Sequence, residues 1–243
     1  MQNKQQGRVA AVMQALKHHL TADRDAVFTT SFGLEDQVLT HLLWKGGLTD
    51  RLRFATLDTG RLFPETYEVW AQTERRYDVS IEAFVPDALA VEQLVRDHGI
   101  NGFRSDIAIR KTCCGIRKLE PLARALSGAD IWVTGLRADQ SGARGGTGLT
   151  DFDSERGLTK LNPLHDWNRD EVLAFAEAHD VPISPLHARG FASIGCAPCT
   201  RAIAPGEPER AGRWWWEDEA AKECGLHVGA DGRLVRARVG ENV

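Results

Sequence analysis

The amino-acid sequence predicts an α/β protein: an open, mostly parallel sheet with helices on both faces. Three observations lead there. Short apolar, β-branched runs alternate with segments whose apolar residues recur at helical spacing, the rhythm of a parallel sheet. The first two of these strands end in turns containing Gly and Thr that lead straight into helices, the connection such a sheet uses at its carboxyl edge. The 243 residues, 42% of them hydrophobic, suffice for one such unit with a sizeable core.

Taken in order, residues 10–20 (AAVMQALKHHL) have helical spacing. AVFTTSF (26–32) reads as a short buried strand that runs into Gly33 and then into the helical EDQVLTHLLW. RLRFATLD (51–58) is a second strand. In the TGRLFPETYEVW that follows, Pro64 suits a first helical turn, and Tyr67, Trp70 and Ala71 share one face. VSIEAFVP (79–86) is a third strand, and ALAVEQLVRDHG a helix closed by Gly99. IWVTGLR (131–137) is a fourth strand, and residues 138–150, rich in Gly and Ser, read as a mobile loop. Asn168 and Glu171 form a capping box at the head of NRDEVLAFAEAH. From about Val181 the rhythm stops, and turns, three cysteines and a Trp triplet follow. No linker composition separates the parts. The expectation is a single domain over 1–243, with a nucleotide-binding α/β core in 1–180 and a C-terminal cysteine-bearing extension in 181–243.

A net charge of −4 argues against a globally basic surface for nucleic acid, while leaving room for a local basic pocket. No apolar run reaches the roughly 18 residues of a membrane helix, and the N-terminus lacks the apolar core of a secretory signal. Five cysteines, an odd number with two adjacent, suit a reducing compartment better than a disulfide framework. The prediction is a cytoplasmic protein with no membrane partner.

Several motifs carry chemistry. In Thr29-Thr30-Ser31-Phe32-Gly33-Leu34-Glu35-Asp36, a loop ends a strand and opens a helix, so its backbone N–H groups converge where a phosphate or sulfate can bind, and Gly33 permits close approach. Glu35 and Asp36 oppose an anion, so binding must come from N–H and hydroxyl groups ahead of them. Asp58-Thr59-Gly60 ends the second strand at the same edge. Both loops also fit ordinary turn chemistry. Cys113-Cys114 and the distant Cys196-Ala197-Pro198-Cys199 provide four thiolates for one metal centre, zinc or an iron–sulfur cluster. Neighbouring helical residues point about 100° apart, which suits separate iron corners of a cuboidal cluster better than one zinc ion. Around the pair, Arg104, Arg110, Lys111, Arg117, Lys118 and Arg124 outnumber Asp106 and Glu120. The excess suits a local anion site, or a solvated helix face. Cys224, in Glu223-Cys224-Gly225-Leu226-His227, is left over from the four. It is either incidental or a nucleophile whose thiolate nearby positive charge would favour. If Trp214-Trp215-Trp216 is helical, its side chains fan through about 200° and cannot all face one core; at least one then meets a partner, a ligand or another subunit of a homo-oligomer, with simple packing against the tail as the default alternative.

Together these residues resemble the assimilatory adenylylsulfate (APS) reductases of the PAPS/APS reductase family, of the iron–sulfur-containing bacterial type. SFGLEDQVL is similar to the family's modified pyrophosphate loop and LDTGRLFPETY to its second nucleotide loop. KTCCGIRKLEPL and CAPCTRA are similar to the halves of its [4Fe–4S] ligand set, and ERAGRWWWE and ECGLH to its C-terminal signature. The resemblance covers nearly the whole chain in order. It implies an adenine nucleotide alpha hydrolase-like fold and a reaction in which adenosine 5′-phosphosulfate and reduced thioredoxin give sulfite, AMP and oxidised thioredoxin. It also implies roles. Cys224 is the nucleophile, forming an enzyme S-sulfocysteine, and Cys113, Cys114, Cys196 and Cys199 hold a [4Fe–4S] cluster. Lys118, Arg144, Arg210, Arg213 and His227 match basic positions around the sulfate or the cluster, and Ser31, Gly33, Leu34 and Leu57 fall in segments that hold the nucleotide. One departure is the tail after His227, which carries Arg233, Arg236 and Arg238. The nearest alternative is a PAPS reductase, a branch that generally lacks the four cysteines. An ATP pyrophosphatase would resemble SGGxDS where this chain has SFGLED. A zinc-binding adaptor would explain the cysteines but neither the loop nor ECGLH.

Overall fold

The computed structural model describes residues 2–217. Among them, strands β1 (Ala26–Thr30), β2 (Arg53–Leu57), β3 (Ile81–Phe84), β4 (Ile131–Val133), β5 (Thr150–Asp153) and β6 (Leu158–Leu161) form one sheet in the order β3-β2-β1-β4-β6-β5. Every pairing is parallel except the β5–β6 hairpin. The helices are α1 (Gln2–His19), α2 (Leu34–Lys45), α3 (Pro64–Tyr77), α4 (Ala88–His98), α5 (Ile107–Cys114), α6 (Glu120–Ala125) and α7 (Arg169–Ala178). None is long and apolar enough to cross a membrane.

The central strands are apolar along their length because both faces are covered. Ala26 and Phe28 of β1 and Ile131 and Val133 of β4 face one layer, filled by Val12 and Leu16 of α1, Val38 and Leu42 of α2, Val69 of α3, and Val172 and Phe175 of α7. Val27 and Trp132 point the other way, against Leu122 and Ala125 of α6. The expected elements form, with tighter limits. Pro64 opens α3, Gly99 closes α4 at φ 74°, and Asn168 and Glu171 cap α7 reciprocally, each side chain accepting from the other's N–H (2.9 and 3.0 Å).

Two stretches differ from the sequence reading. Residues 138–150 hold 3-10 turns at Ala138–Gln140 and Gly142–Arg144 rather than an open loop, with Arg144 buried. The hairpin β5–β6 follows, which the sequence did not reveal. Its strands TDFD and LTKL are too short and too charged to read as buried, yet Asp153 and Lys160 are both inside. Asp153 pairs with Arg156 (2.8 Å), and the Lys160 ammonium lies over the Trp132 ring (4.8 Å).

The strand order reverses between β1 and β4, so their carboxyl ends flank a crevice where this class of sheet binds ligands. There the chain leaving β4 crosses the head of α2. A Cβ on Gly135 would lie 2.3 Å from Asp36 Oδ1, 3.0 Å from Glu35 Cβ and 3.3 Å from the Asp36 nitrogen. Only glycine fits, because backbone as well as side chain stands in the way. Gly135→Ala is therefore expected to destabilise the protein by about 2–3 kcal/mol in urea unfolding, whereas Gly115→Ala, with open space around it, is expected to leave stability within about 0.5 kcal/mol.

Candidate active site

The loop leaving β1 is shaped by its own side chains. Phe32 adopts a left-handed φ of 58° without being glycine. Its buried ring stacks on Trp70 at 5.5 Å, and its N–H donates to Thr30 Oγ1 at 3.0 Å, which together hold the turn. Gly33 then caps α2 with no side-chain bond. The N–H and hydroxyl of Ser31, expected to face an anion, instead donate to Asp36 Oδ2 at 2.7 and 2.8 Å. A buried carboxylate within the loop thus takes those donors. Burial pushes the Asp36 pKa up to about 6, against the Ser31 bonds. Burial also acts on its neighbour Glu35, but there Arg137 outweighs it and holds the carboxyl below the usual range. Two adjacent acids are thus moved in opposite directions, Asp36 upward by burial and Glu35 downward by Arg137.

Arg137, fully buried, gathers three stretches of chain. Its Nε donates to Glu35 Oε1 (2.7 Å), its Nη2 to both oxygens of Glu209 (3.0 and 2.8 Å), and its Nη1 to Asp139. Arg169 also approaches Glu209, at 3.5 Å. In the sequence Arg137 reads as a further cation that, with Arg144, Arg210 and Arg213, would join an anion site if the fold brought them together; it is instead spent on these carboxylates.

Between these walls lies a cavity of about 1300 Å³, open mouth included. Ser31, Gly33, Leu34, Leu57, Lys118, Arg144, Arg210 and Arg213 all line it, although they come from five separate parts of the chain. Arg213 lies across Gly195, where a Cβ would stand 2.2 Å from its Nη2. Of the basic run from Arg104 to Arg124, Lys118 lines this cavity, and the others seen in contacts serve elsewhere. Arg110 pairs with Glu217, Arg117 donates to the Thr59 carbonyl (2.6 Å), and Arg124 reaches Glu120 and the Val85 carbonyl.

The cysteines meet beside it. Asp106 caps α5, accepting from the Ala108 and Ile109 N–H groups, and α5 ends on Cys113-Cys114. A π-helical turn, Gly115–Leu119, follows and joins α5 to α6. Cys113, Cys114, Cys196 and Cys199 line one void of about 320 Å³, mouth included. Among the described residues, no three His, Cys, Asp or Glu side chains lie close enough to share one metal ion. Thr59, in the second loop, hydrogen-bonds Cys196 Sγ (3.3 Å), and the Ala197 N–H donates to the Arg61 carbonyl (2.8 Å), so that loop serves the cysteines as well as the cavity. Burial opposes the Cys196 thiolate, yet Lys118, Thr59, Arg213 and Arg117 together bring its pKa below the ordinary value. Burial and the neighbouring Cys196 and Cys114 push Cys199 up to about 12. Lys118, Arg213 and Trp214 line both voids and form their common wall.

The Trp triplet is not helical. Trp214, at φ 41°, is buried between the guanidinium groups of Arg110 (4.9 Å) and Arg213 (4.7 Å). Arg110 is anchored by two bonds to Glu217 (2.9 and 2.7 Å). Trp216 packs on Phe103, and Trp215 is exposed beneath Arg104. Cys224 and His227 lie outside the described residues.

A crevice at the sheet's reversal point, closed by a thiol-rich extension, defines an adenine nucleotide alpha hydrolase-like protein. Solved structures agree on this fold. Phosphoadenylyl-sulfate reductase from Candida auris matches with a TM-score of 0.67 over 79% of this chain and 90% of that one, at 24% identity. Yeast FAD synthetase matches with a TM-score of 0.57 over 82% and 67%, at 17% identity. The family model for the phosphoadenosine phosphosulfate reductase domain matches residues 25–202. Three similar curated proteins are each named adenosine 5′-phosphosulfate reductase. That of Sinorhizobium fredii is 54% identical, covering 84% of this chain and 80% of its own. That of Allochromatium vinosum is 49% identical, covering 90% and 85%. That of Neisseria meningitidis is 41% identical, covering 93% and 94%. The chain belongs to the phosphoadenosine phosphosulfate reductase domain family and, with these relatives, is an oxidoreductase acting on sulfur groups.

The raised pKa of Asp36 has a measurable consequence. Between its ordinary 3.8 and about 6, the folded protein keeps a proton that the unfolded chain has lost. The Asp36 contribution to stability therefore falls as pH rises through that window and stays lower above it. Asp36→Asn removes the titration but keeps an oxygen for Ser31. The variant is expected to gain on the wild type by about 2–3 kcal/mol between about pH 4 and pH 7 in urea unfolding. A difference constant over that range would contradict this assignment.

Proposed function

We propose that this protein reduces adenosine 5′-phosphosulfate to sulfite and AMP at the expense of reduced thioredoxin, in sulfate assimilation. The observation that carries the reading is the common wall of Lys118, Arg213 and Trp214 between a nucleotide-sized cavity and a void lined by four cysteines. A zinc adaptor would not need such a cavity, and a nucleotidyl-transfer enzyme would not need the cysteines. The names of the similar curated proteins favour the nucleotide without a 3′-phosphate.

Ser31, Gly33, Leu34 and Leu57 would border the nucleoside, and Lys118, Arg144, Arg210 and Arg213 would offset the charge of the phosphosulfate. A dianion repels a thiolate, and this fixed positive charge lowers the repulsion. Cys224 would then attack sulfur. The sulfur–oxygen bond to the phosphate breaks, AMP leaves with that electron pair, and the enzyme carries Cys–S–SO₃⁻. A thioredoxin thiolate attacks the Cys224 sulfur and expels sulfite. Its second thiol resolves the mixed disulfide, so the two electrons come from the dithiol. An ordinary cysteine has a pKa of about 8.5, and His227 with Arg210 and Arg213 would lower it.

Cys113, Cys114, Cys196 and Cys199 would hold the [4Fe–4S] cluster. The fit rests on their shared void and on the affinity of thiolates for iron. When bound, the cluster supplies cross-linking and local electrostatics, and every electron of the reaction is accounted for by thiols. Replacing any one of the four by Ser is expected to lower iron and acid-labile sulfide and most of the activity. Full iron content in all four variants would exclude the assignment.

The decisive measurement is intact-mass and peptide spectrometry after mixing enzyme and APS without thioredoxin. One SO₃ on Cys224 and one AMP released per site are expected, with discharge as sulfite on adding reduced thioredoxin. Cys224→Ser should form no adduct while keeping its iron. The corresponding 3′-phosphorylated nucleotide should react with a lower kcat/KM. An adduct on another residue, or a preference for that nucleotide, would overturn the reading.

A further inference from the structure

His187 also lines the cavity, and none of the chemistry above uses it. It opens a 3-10 turn, His187–Arg189, inside a closed loop. The His187 N–H donates to the Ser184 carbonyl (3.1 Å), and the Phe191 N–H donates to the Leu186 carbonyl (3.1 Å). The ring is held by its Nδ1, 2.8 Å from the Phe191 carbonyl. A carbonyl only accepts, so Nδ1 carries the hydrogen. In the neutral ring Nε2 is then an acceptor. That atom is buried and has no partner within the protein. Burial lowers the pKa of the ring and Arg169 acts the same way, opposed by the Phe191 bond and by Glu35.

We propose that His187 is a specificity-determining residue, whose Nε2 accepts a hydrogen bond from a donor on the nucleoside half of the bound nucleotide. This rests on the reductase reading above. The phosphosulfate half offers only acceptors and suits Lys118, Arg144, Arg210 and Arg213, which only donate. The nucleoside's donors are its ribose hydroxyls and the 6-amine. An acceptor fixed in the cavity wall can satisfy one of these and nothing on the anion. Glu35 and Glu209 line the cavity too, but Glu35 Oε1 and both Glu209 oxygens are engaged by Arg137. His187 lines it as well, and its Nε2 is not committed in this way.

The test is a binding cycle between residue and ligand, on the full chain with its iron. AMP, 2′-deoxy-AMP, 3′-deoxy-AMP and the 5′-monophosphate of purine riboside, which lacks the amine, are titrated by calorimetry into wild type and His187→Phe. AMP should bind His187→Phe about tenfold more weakly, the size of one hydrogen bond to a buried acceptor. One analogue should lose the same factor on the wild type and bind His187→Phe as well as AMP does, which identifies the donor. His187→Gln, whose amide oxygen can accept, should recover part of the loss. Should His187→Phe not fold, His187→Ala carries the same cycle. Unchanged AMP affinity overturns the proposal. So does a loss equal for all four ligands, the mark of a merely structural residue. A wild type that binds no AMP overturns the reductase reading and this inference with it.

Discussion

The guanidinium of Arg137 is sealed from solvent among carboxylates that belong to three stretches of chain: Glu35 at the head of α2, Asp139 in the turn after β4, and Glu209 in the C-terminal extension. Taking such charges out of water costs several kcal/mol per ion, and only close, well-directed pairing repays it. The arrangement is accordingly all or none. If the extension lifts, Arg137 loses the bidentate bond to Glu209, and a buried ion is left with its charge only partly offset. Glu209 directly precedes Arg210 and stands a turn ahead of Arg213, so the same ion that seats the extension also sets where those cations stand over the cavity. The nucleotide side and the cysteine side of the molecule are thereby held in one register.

The cavity holds both signs of charge: Glu35, Asp36 and Glu209 line it, and so do Lys118, Arg144, Arg210 and Arg213, with Lys118 and Arg213 also lining the cysteine void. A loop of this shape ordinarily presents backbone N–H groups to an anion. Here Asp36 takes the Ser31 donors, so positive charge has to come from those side chains. The two acids that follow Gly33 do more than flank the site, since one closes the loop on itself and the other anchors Arg137.

What could be read beforehand follows from how local each signal is. Strands β1, β2 and β4 were legible because burial on both faces makes an apolar run. The capping box of Asn168 and Glu171 was legible because its partners are three residues apart. The cysteines were legible as a set because thiols at such spacings have few other uses. Ser31 could be named from the loop after the first strand and Lys118 from the basic run, but nothing around them, or around Leu57, Arg144 and Arg213, in the sequence shows that they meet at one cavity. Gly135 was missed because its obstacles lie at residues 35 and 36, and His187 because nothing in its local sequence reveals that it lines the cavity; Arg137 could be read only as a further cation, because its partners Glu35 and Glu209 lie far along the chain. The hairpin β5–β6 was missed because its buried face carries Asp153 and Lys160, whose charges are offset by Arg156, by the carboxylates of Asp153 and Asp151, and by the face of Trp132. The Trp triplet failed as a helix because Trp214 is drawn between two arginines, a position that a helical backbone would not give it.

The shared wall ties the cysteine void to the cavity, and on the proposed mechanism the void matters without any electron passing from it. Trp214 stands between Arg110 and Arg213, and Arg110 is fixed by Glu217. Arg213 lies across Gly195, next to Cys196, and Thr59 joins Cys196 to the loop that follows β2. Whatever occupies the four thiols therefore bears on the position of Arg213 through Trp214, and on the nucleotide loop through Thr59. The Lys118 and Arg213 charges act on both voids at once, favouring a thiolate at Cys196 on one side and an anion on the other. A metal centre held there would sharpen an electrostatic site already built from protein cations. Its loss would loosen that site without removing a redox step, and binding and turnover would then fall together.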